Sequence, residues 1–158
     1  MSDEKNLPPK MRASAQKAPP KPQPRPQDPV EQEFWNRCQD GNLYFQRCGE
    51  CGTFRHLPRY MCAKCGSPDF SWEQSSGKGK LIYWTVTHQA LHPAFAADIP
   101  FVSAVVELEE GVRMATRLID CDRDKLELDL PVTLDFELIG ADFRLPVFRP
   151  DTNLPHEG

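Results

Sequence analysis

Six cysteines occur in the chain, and four of them form two matching hooks, Cys48-Gly49-Glu50-Cys51-Gly52 and Cys62-Ala63-Lys64-Cys65-Gly66, with ten residues between Cys51 and Cys62. Each hook presents two thiolates on one tight turn, and the glycine after its second cysteine lets the backbone curl around an ion. Four sulfurs brought together make a tetrahedral site that suits Zn²⁺ and leaves no position open for a substrate. Four thiolates also accept iron, so the spacing specifies the ligands Cys48, Cys51, Cys62 and Cys65 more tightly than the metal. Two separate disulfide-bonded pairs are the competing reading. The doubled hook with its two glycines favours a structural metal site.

Other residues capable of chemistry are explained more simply. Cys38 and Cys121 stand apart from the hooks and read as small buried apolar side chains. His56 lies between the hooks, but four cysteines already fill the site, so it is expected at the surface or behind the ligands. His88 and His92 are four apart, yet they fall at a strand end and beside Pro93, where helical alignment fails. Gly77-Lys78-Gly79-Lys80 lacks the full phosphate-loop spacing and precedes a strand, so a turn is expected. The sequence contains neither a nucleophile elbow nor a Ser-His-Asp order.

The elements that must position these residues follow from patterning. Residues 1–28 form an arm with Pro8, Pro9, Pro19, Pro20, Pro22, Pro24 and Pro26, expected to be disordered, polyproline-like, or laid as a strap on a partner. Residues 29–41 form a leading helix. Asp28 caps it, Pro29 occupies its first turn, Glu31 completes a capping box and Gly41 ends it. Val30, Phe34 and Cys38 share one face with Trp35 beside them, and Phe34 and Trp35 are candidate anchors for a partner. The ribbon spans 42–76, with residues 53–60 as a hairpin between the hooks. From Gly79 onward, five runs rich in β-branched and aromatic residues, with a helical turn near residues 122–126, predict a closed antiparallel Greek-key barrel of OB type over 77–150. Residues 151–158 form a tail. The fold class is therefore mainly β: helix, metal ribbon, five-stranded barrel.

Composition bounds the partners. The chain has 158 residues, 39% of them apolar, without an apolar run long enough to cross a bilayer or the apolar core of a signal peptide. A cytoplasmic protein is expected, where thiols stay reduced. The net charge is −4, but the first 29 residues hold six cations against three carboxylates, leaving −7 for the remainder. An acidic body argues against nucleic acid as the main partner. An OB-type single-strand binder stacking bases on Tyr83, Trp84 and Phe101 is the rival reading.

From Val30 to Pro150 the chain resembles the bacterial and archaeal family that joins a rubredoxin-like zinc ribbon to an OB-fold. The resemblance rests on the helix with Phe34-Trp35, on Arg47-Cys48-x-x-Cys51-Gly52 and on Pro58-Arg59-x-x-Cys62-x-x-Cys65-Gly66. It continues through Gly79-x-Leu81, His92-Pro93-Ala94-Phe95, Ile99-Pro100-Phe101, Val105-x-Glu107-Leu108 and Leu145-Pro146-x-Phe148-Arg149-Pro150. The Pro-rich arm is atypical. The resemblance implies a non-catalytic auxiliary subunit that binds a thiolase-like acyl-CoA enzyme and helps shape its acyl-CoA site. A hydratase or an aldolase is the alternative partner. It also implies a CoA thioester near the junction of ribbon and barrel, with Arg59, His92 and Phe95 as the residues expected beside it.

Overall fold

A computed structural model of the chain describes residues 17–152. Helix α1 (Pro29–Cys38) is followed by a three-stranded sheet of β1 (Tyr44–Cys48), β2 (Phe54–Arg55) and β3 (Phe70–Gln74), ordered β2-β1-β3. Five further strands, β4 (Lys78–Thr87), β5 (Phe101–Leu108), β6 (Arg113–Leu118), β7 (Pro131–Ile139) and β8 (Phe143–Pro150), close into a barrel ordered β4-β5-β6-β8-β7. This is the predicted OB architecture with one departure: β6 and β8 pair in parallel at Leu118 and Phe148, so the barrel is not wholly antiparallel. Pairing β8 with β6, as well as β7 with β4, is what shuts the sheet. No helix among the described residues is long and apolar enough to cross a membrane.

The helix starts as its sequence dictates. Asp28 Oδ1 accepts from the N–H groups of Val30 and Glu31, both at 2.9 Å, satisfying two donors that the first turn leaves free. The expected capping box is displaced by one residue, because Glu31 Oε2 accepts from Gln27 N–H at 2.7 Å and not from Asp28. The helix stops at Cys38, and Asp40 and Gly41 belong to the turn that follows, with Gly41 at φ +79°.

Val30, Phe34 and Cys38 all point inward, and Phe34 is only 2% exposed. Its ring meets Trp35, His56 and Trp72, while Trp35 also lies 5.8 Å from the ring of Phe143 in β8. Phe34 is therefore not free to anchor a partner, and Trp35 is partly engaged as well. A ten-residue helix is marginal alone and is held by packing its apolar face on its own domain. Burying Phe34 alone contributes about 2 kcal/mol. Gln39 and Arg144 exchange further hydrogen bonds that tie the helix end to β8.

One apolar core runs through all three parts. It joins Phe34 and Cys38 of the helix, Leu43 and Phe45 of the ribbon, and the barrel side chains Leu81, Val106, Val132 and Phe148. Along β5, Val102, Ala104, Val106 and Leu108 alternate inward with the period of two of a pleated strand. Gly77 makes the expected turn at φ +71°, but Lys78, Gly79 and Lys80 are already strand. Gly79 pairs with Leu108 on one side and Val132 on the other, and a Cβ there would meet Glu107 O at 2.5 Å. A glycine is required at that seam because the neighbouring strand comes too close for a side chain.

Two more expectations change. Only Phe54 and Arg55 of residues 53–60 form strand, so the connection between the hooks is mostly irregular. Residues 1–16 of the arm and 153–158 of the tail lie outside the described residues. Residues 17–28 of the arm have neither helix nor strand before Asp28, yet Lys21 contacts this chain's own barrel.

Candidate metal centre

Both hooks close in the same way. Cys48 ends β1, its N–H donates to Thr53 O, and Gly52 N–H returns to Cys48 O at 3.0 Å. In the second hook Cys62 N–H donates to Ser67 O, and Gly66 N–H returns to Cys62 O at 2.8 Å. Gly52 and Gly66 both lie in the left-handed region, at φ +69° and +76°, which a side chain would disfavour. Gly49 N–H donates to Asp69 O, fastening the first hook to the chain that leaves the second.

These turns gather Cys48, Cys51, Cys62 and Cys65 with all four Sγ atoms within 4.8 Å of one another. Cys48 and Cys65 sulfurs are 3.5 Å apart, and those of Cys51 and Cys62 are 3.6 Å apart. A tetrahedron of sulfurs at zinc–thiolate bond length has edges of about 3.8 Å, so the thiols fit one four-coordinate metal. None of the cysteines is in a disulfide. Among the described residues this is the one cluster of three or more metal-ligating side chains.

Local hydrogen bonds prepare two of the thiols for metal. The Thr53 hydroxyl, aided by the Thr53 backbone, holds Cys51 down at about 6. The backbone N–H groups of Cys65 and Lys64 hold the Cys62 thiol below its ordinary value. Cys38 behaves oppositely. It is fully buried, and desolvation pushes its thiol up to about 12, the property of an apolar core residue. Cys121 is half-buried and raised for the same reason.

His56 is not at the surface. Its ring is wedged between Phe34 and Phe45, at 5.3 and 5.5 Å, and burial lowers its pKa to about 4. It is a neutral packing residue behind the ribbon. The residue that sequence reasoning missed is Gln46. It is fully buried on β1, and its Oε1 accepts from Arg55 Nε at 3.0 Å and Arg59 N–H at 2.7 Å. It thereby pins the loop between the hooks. No pattern marks it, because alternation after the buried Phe45 turns the next residue of β1 to the other face.

The residues expected beside a CoA thioester fall into two groups. His92 caps a short 3-10 turn, Pro93–Phe95, by accepting from Ala94 N–H at Nδ1, and its ring lies 6.0 Å from Phe95. Phe95 also lies 6.4 Å from Phe101. Arg59 is exposed on the ribbon, and its guanidinium has no hydrogen bond, ion pair or ring contact among the described residues. It shares no hydrogen bond or ring contact with His92 or Phe95, so these contacts do not gather the three into one group. The stacking platform of the rival reading also separates. Tyr83 is 64% exposed, whereas its strand neighbour Trp84 packs against the core.

The chain's sequence matches two family models in succession. Residues 35–71 match the ChsH2 rubredoxin-like zinc ribbon domain, and residues 72–137 match the ChsH2 C-terminal OB-fold domain. A DUF35 domain-containing scaffold protein of Methanocaldococcus jannaschii is 35% identical over 97 residues, 61% of this chain and 68% of that protein. This chain belongs to the DUF35 family of ChsH2 type. A solved structure titled "Ltp2-ChsH2(DUF35) aldolase" superposes on this DUF35 chain with a TM-score of 0.73 and 38% identity, covering 80% of the chain and 98% of its counterpart. The probable enoyl-CoA hydratase alpha subunit of Thermomonospora curvata is 40% identical over 128 residues, 80% of this chain. The DUF35 chain spans only 40% of the length of that hydratase subunit.

Proposed function

We propose that this DUF35 protein is a non-catalytic, zinc-holding auxiliary subunit of a hetero-oligomeric acyl-CoA enzyme, acting in the cytoplasm beside a partner of the thiolase or aldolase kind. The observation that carries the reading is the likeness, over nearly the whole counterpart chain, to the DUF35 component of a solved aldolase assembly. The metal's part is structural: bound zinc, with all four positions taken by Cys48, Cys51, Cys62 and Cys65, crosslinks the two hooks. Zinc is favoured over iron by the zinc-ribbon family match, although the thiols would accept either. The partner supplies the reacting groups, and this subunit contributes a surface near the acyl-CoA entrance, where Arg59, His92 and Phe95 are the residues we assign to the thioester's vicinity.

A second reading, an auxiliary subunit of an enoyl-CoA hydratase, is favoured by the relative named as a hydratase alpha subunit. Capture by the tagged full chain from its host's lysate, read by mass spectrometry, separates these. A thiolase or aldolase recovered in near-equal amount supports the first reading, and a hydratase supports the second. Recovery without any acyl-CoA enzyme would refute both.

A further inference from the structure

Sequence leaves the arm either disordered and polyproline-like or laid as a strap on a partner, whereas the barrel holds part of it. Lys21 Nζ lies 2.6 Å from Asp98 Oδ2 and 3.0 Å from Glu137 Oε1. Asp98 belongs to the loop between β4 and β5, and Glu137 to β7, so one ammonium joins two separate parts of the barrel. Arg117 of β6 reaches the same two carboxylates, at 2.8 and 3.3 Å. Without Lys21 the group holds two anions and one cation, and with it the charges balance.

The surroundings are those of a built cation site. All four side chains are 18–25% exposed, and Lys21 Nζ stands 5.7 Å from the centre of the Phe95 ring. Arg117 faces Phe101 in the same manner, at 5.5 Å. Burial opposes the charge of Lys21, yet hydrogen bonds to Asp98 and Glu137 outweigh it and raise the lysine's pKa. A second arm residue is also against the barrel: a Cβ on Gly140, in the β7–β8 turn, would meet Gln23 Nε2 at 3.3 Å. The arm thus touches the β4–β5 loop and the β7–β8 turn, the two barrel loops through which OB-folds commonly engage extended ligands. Its prolines (Pro19, Pro20 and Pro22 around Lys21) preset an extended backbone that loses little entropy on docking.

We propose that Asp98, Glu137 and Phe95 form a lysine-binding notch on the barrel, and that its occupant is Lys21 of the chain's own proline-rich arm, which straps the β4–β5 loop onto β7. Any extended basic segment from a partner would have to displace this strap to use the same face. The loop so held carries His92 and Phe95, so the strap orders them whether or not they meet a CoA thioester.

Hydrogen–deuterium exchange on the full chain tests the strap. Lys21→Gln should raise exchange across residues 88–100 by roughly tenfold, the effect of losing a half-buried charge-assisted pair. Lys21→Arg should preserve most of the protection. Arg25→Ala removes an arm cation without a carboxylate partner among the described residues and should leave the loop unchanged. Added salt should raise loop exchange in the wild type far more than in Lys21→Gln. Equal loop exchange in wild type and Lys21→Gln would overturn the proposal, as would an equal effect from Arg25→Ala.

Discussion

Cys62 is the buried member of the second hook, held ready for metal by the N–H groups of Cys65 and Lys64. A serine there keeps the volume but replaces a thiolate with a hydroxyl that does not ionise at neutral pH. Structural zinc in small modules contributes on the order of 10 kcal/mol to folding, so the ribbon is not expected to survive its loss. Cys62→Ser should therefore empty the site and expose the amides of β1 and β3 to rapid exchange. Elemental analysis of purified protein checks the first point, and a variant retaining one zinc per chain would sink the assignment. The same residue scale separates look-alikes: Cys38 shares the thiol but sits fully buried in apolar surroundings, which explains why it joins the core and not the metal.

Among the elements, β4 has the most constrained position. It pairs with β5 along its length and with β7 through Lys78, Gly79 and Lys80, so it is the seam where the barrel closes. Gly79→Ala would push a methyl group against the Glu107 carbonyl, and backbone cannot yield as a flexible side chain can. The expected loss is about 2 kcal/mol, within the usual range for overpacking, read as a lower urea midpoint with an unchanged slope. The helix illustrates the reverse dependence. Its cap is local and reads directly from Asp28-Pro29, but what it packs against is not. In sequence Phe34 and Trp35 mark a face that must dock, on the chain's own domain or on a partner, and only the neighbouring ribbon and β8 decide between them.

For the whole molecule, helix, ribbon and barrel share one core, and His56 is set where helix and ribbon meet. Its imidazole titrates near 6.5 when unfolded but near 4 when folded, because burial disfavours the charged form. Between these values unfolding takes up a proton, so stability is fully present above about pH 6.5 and is lost as pH falls toward 4. The expected loss from this group between pH 7 and 5 is about 2 kcal/mol. Urea denaturation of wild type and His56→Gln at both pH values isolates it, with metal content followed in parallel because the thiolates also take up protons. An identical pH dependence in the two proteins would assign the loss to the metal site instead. Charge distribution belongs to the same scale: the arm's positive excess is partly neutralised by the acidic barrel, through Lys21 on Asp98 and Glu137.

By itself the sequence determined what depends on near neighbours. The two hooks are legible because a Cys-x-x-Cys-Gly turn makes its own ligand pair and its own curl. The helix start is legible because its cap acts over three residues, and the five strands because each is marked by a run rich in β-branched and aromatic residues. Tertiary structure alone decided what depends on closure. It set β8 in parallel beside β6, turned Phe34 and His56 inward, and buried Gln46 to hold the loop between the hooks. It also brought Lys21 to a carboxylate 116 residues away. No local pattern encodes these pairings, since each exists only once separate stretches of chain, in the ribbon, between helix and ribbon, or across the barrel, share one dry, charged or crowded place.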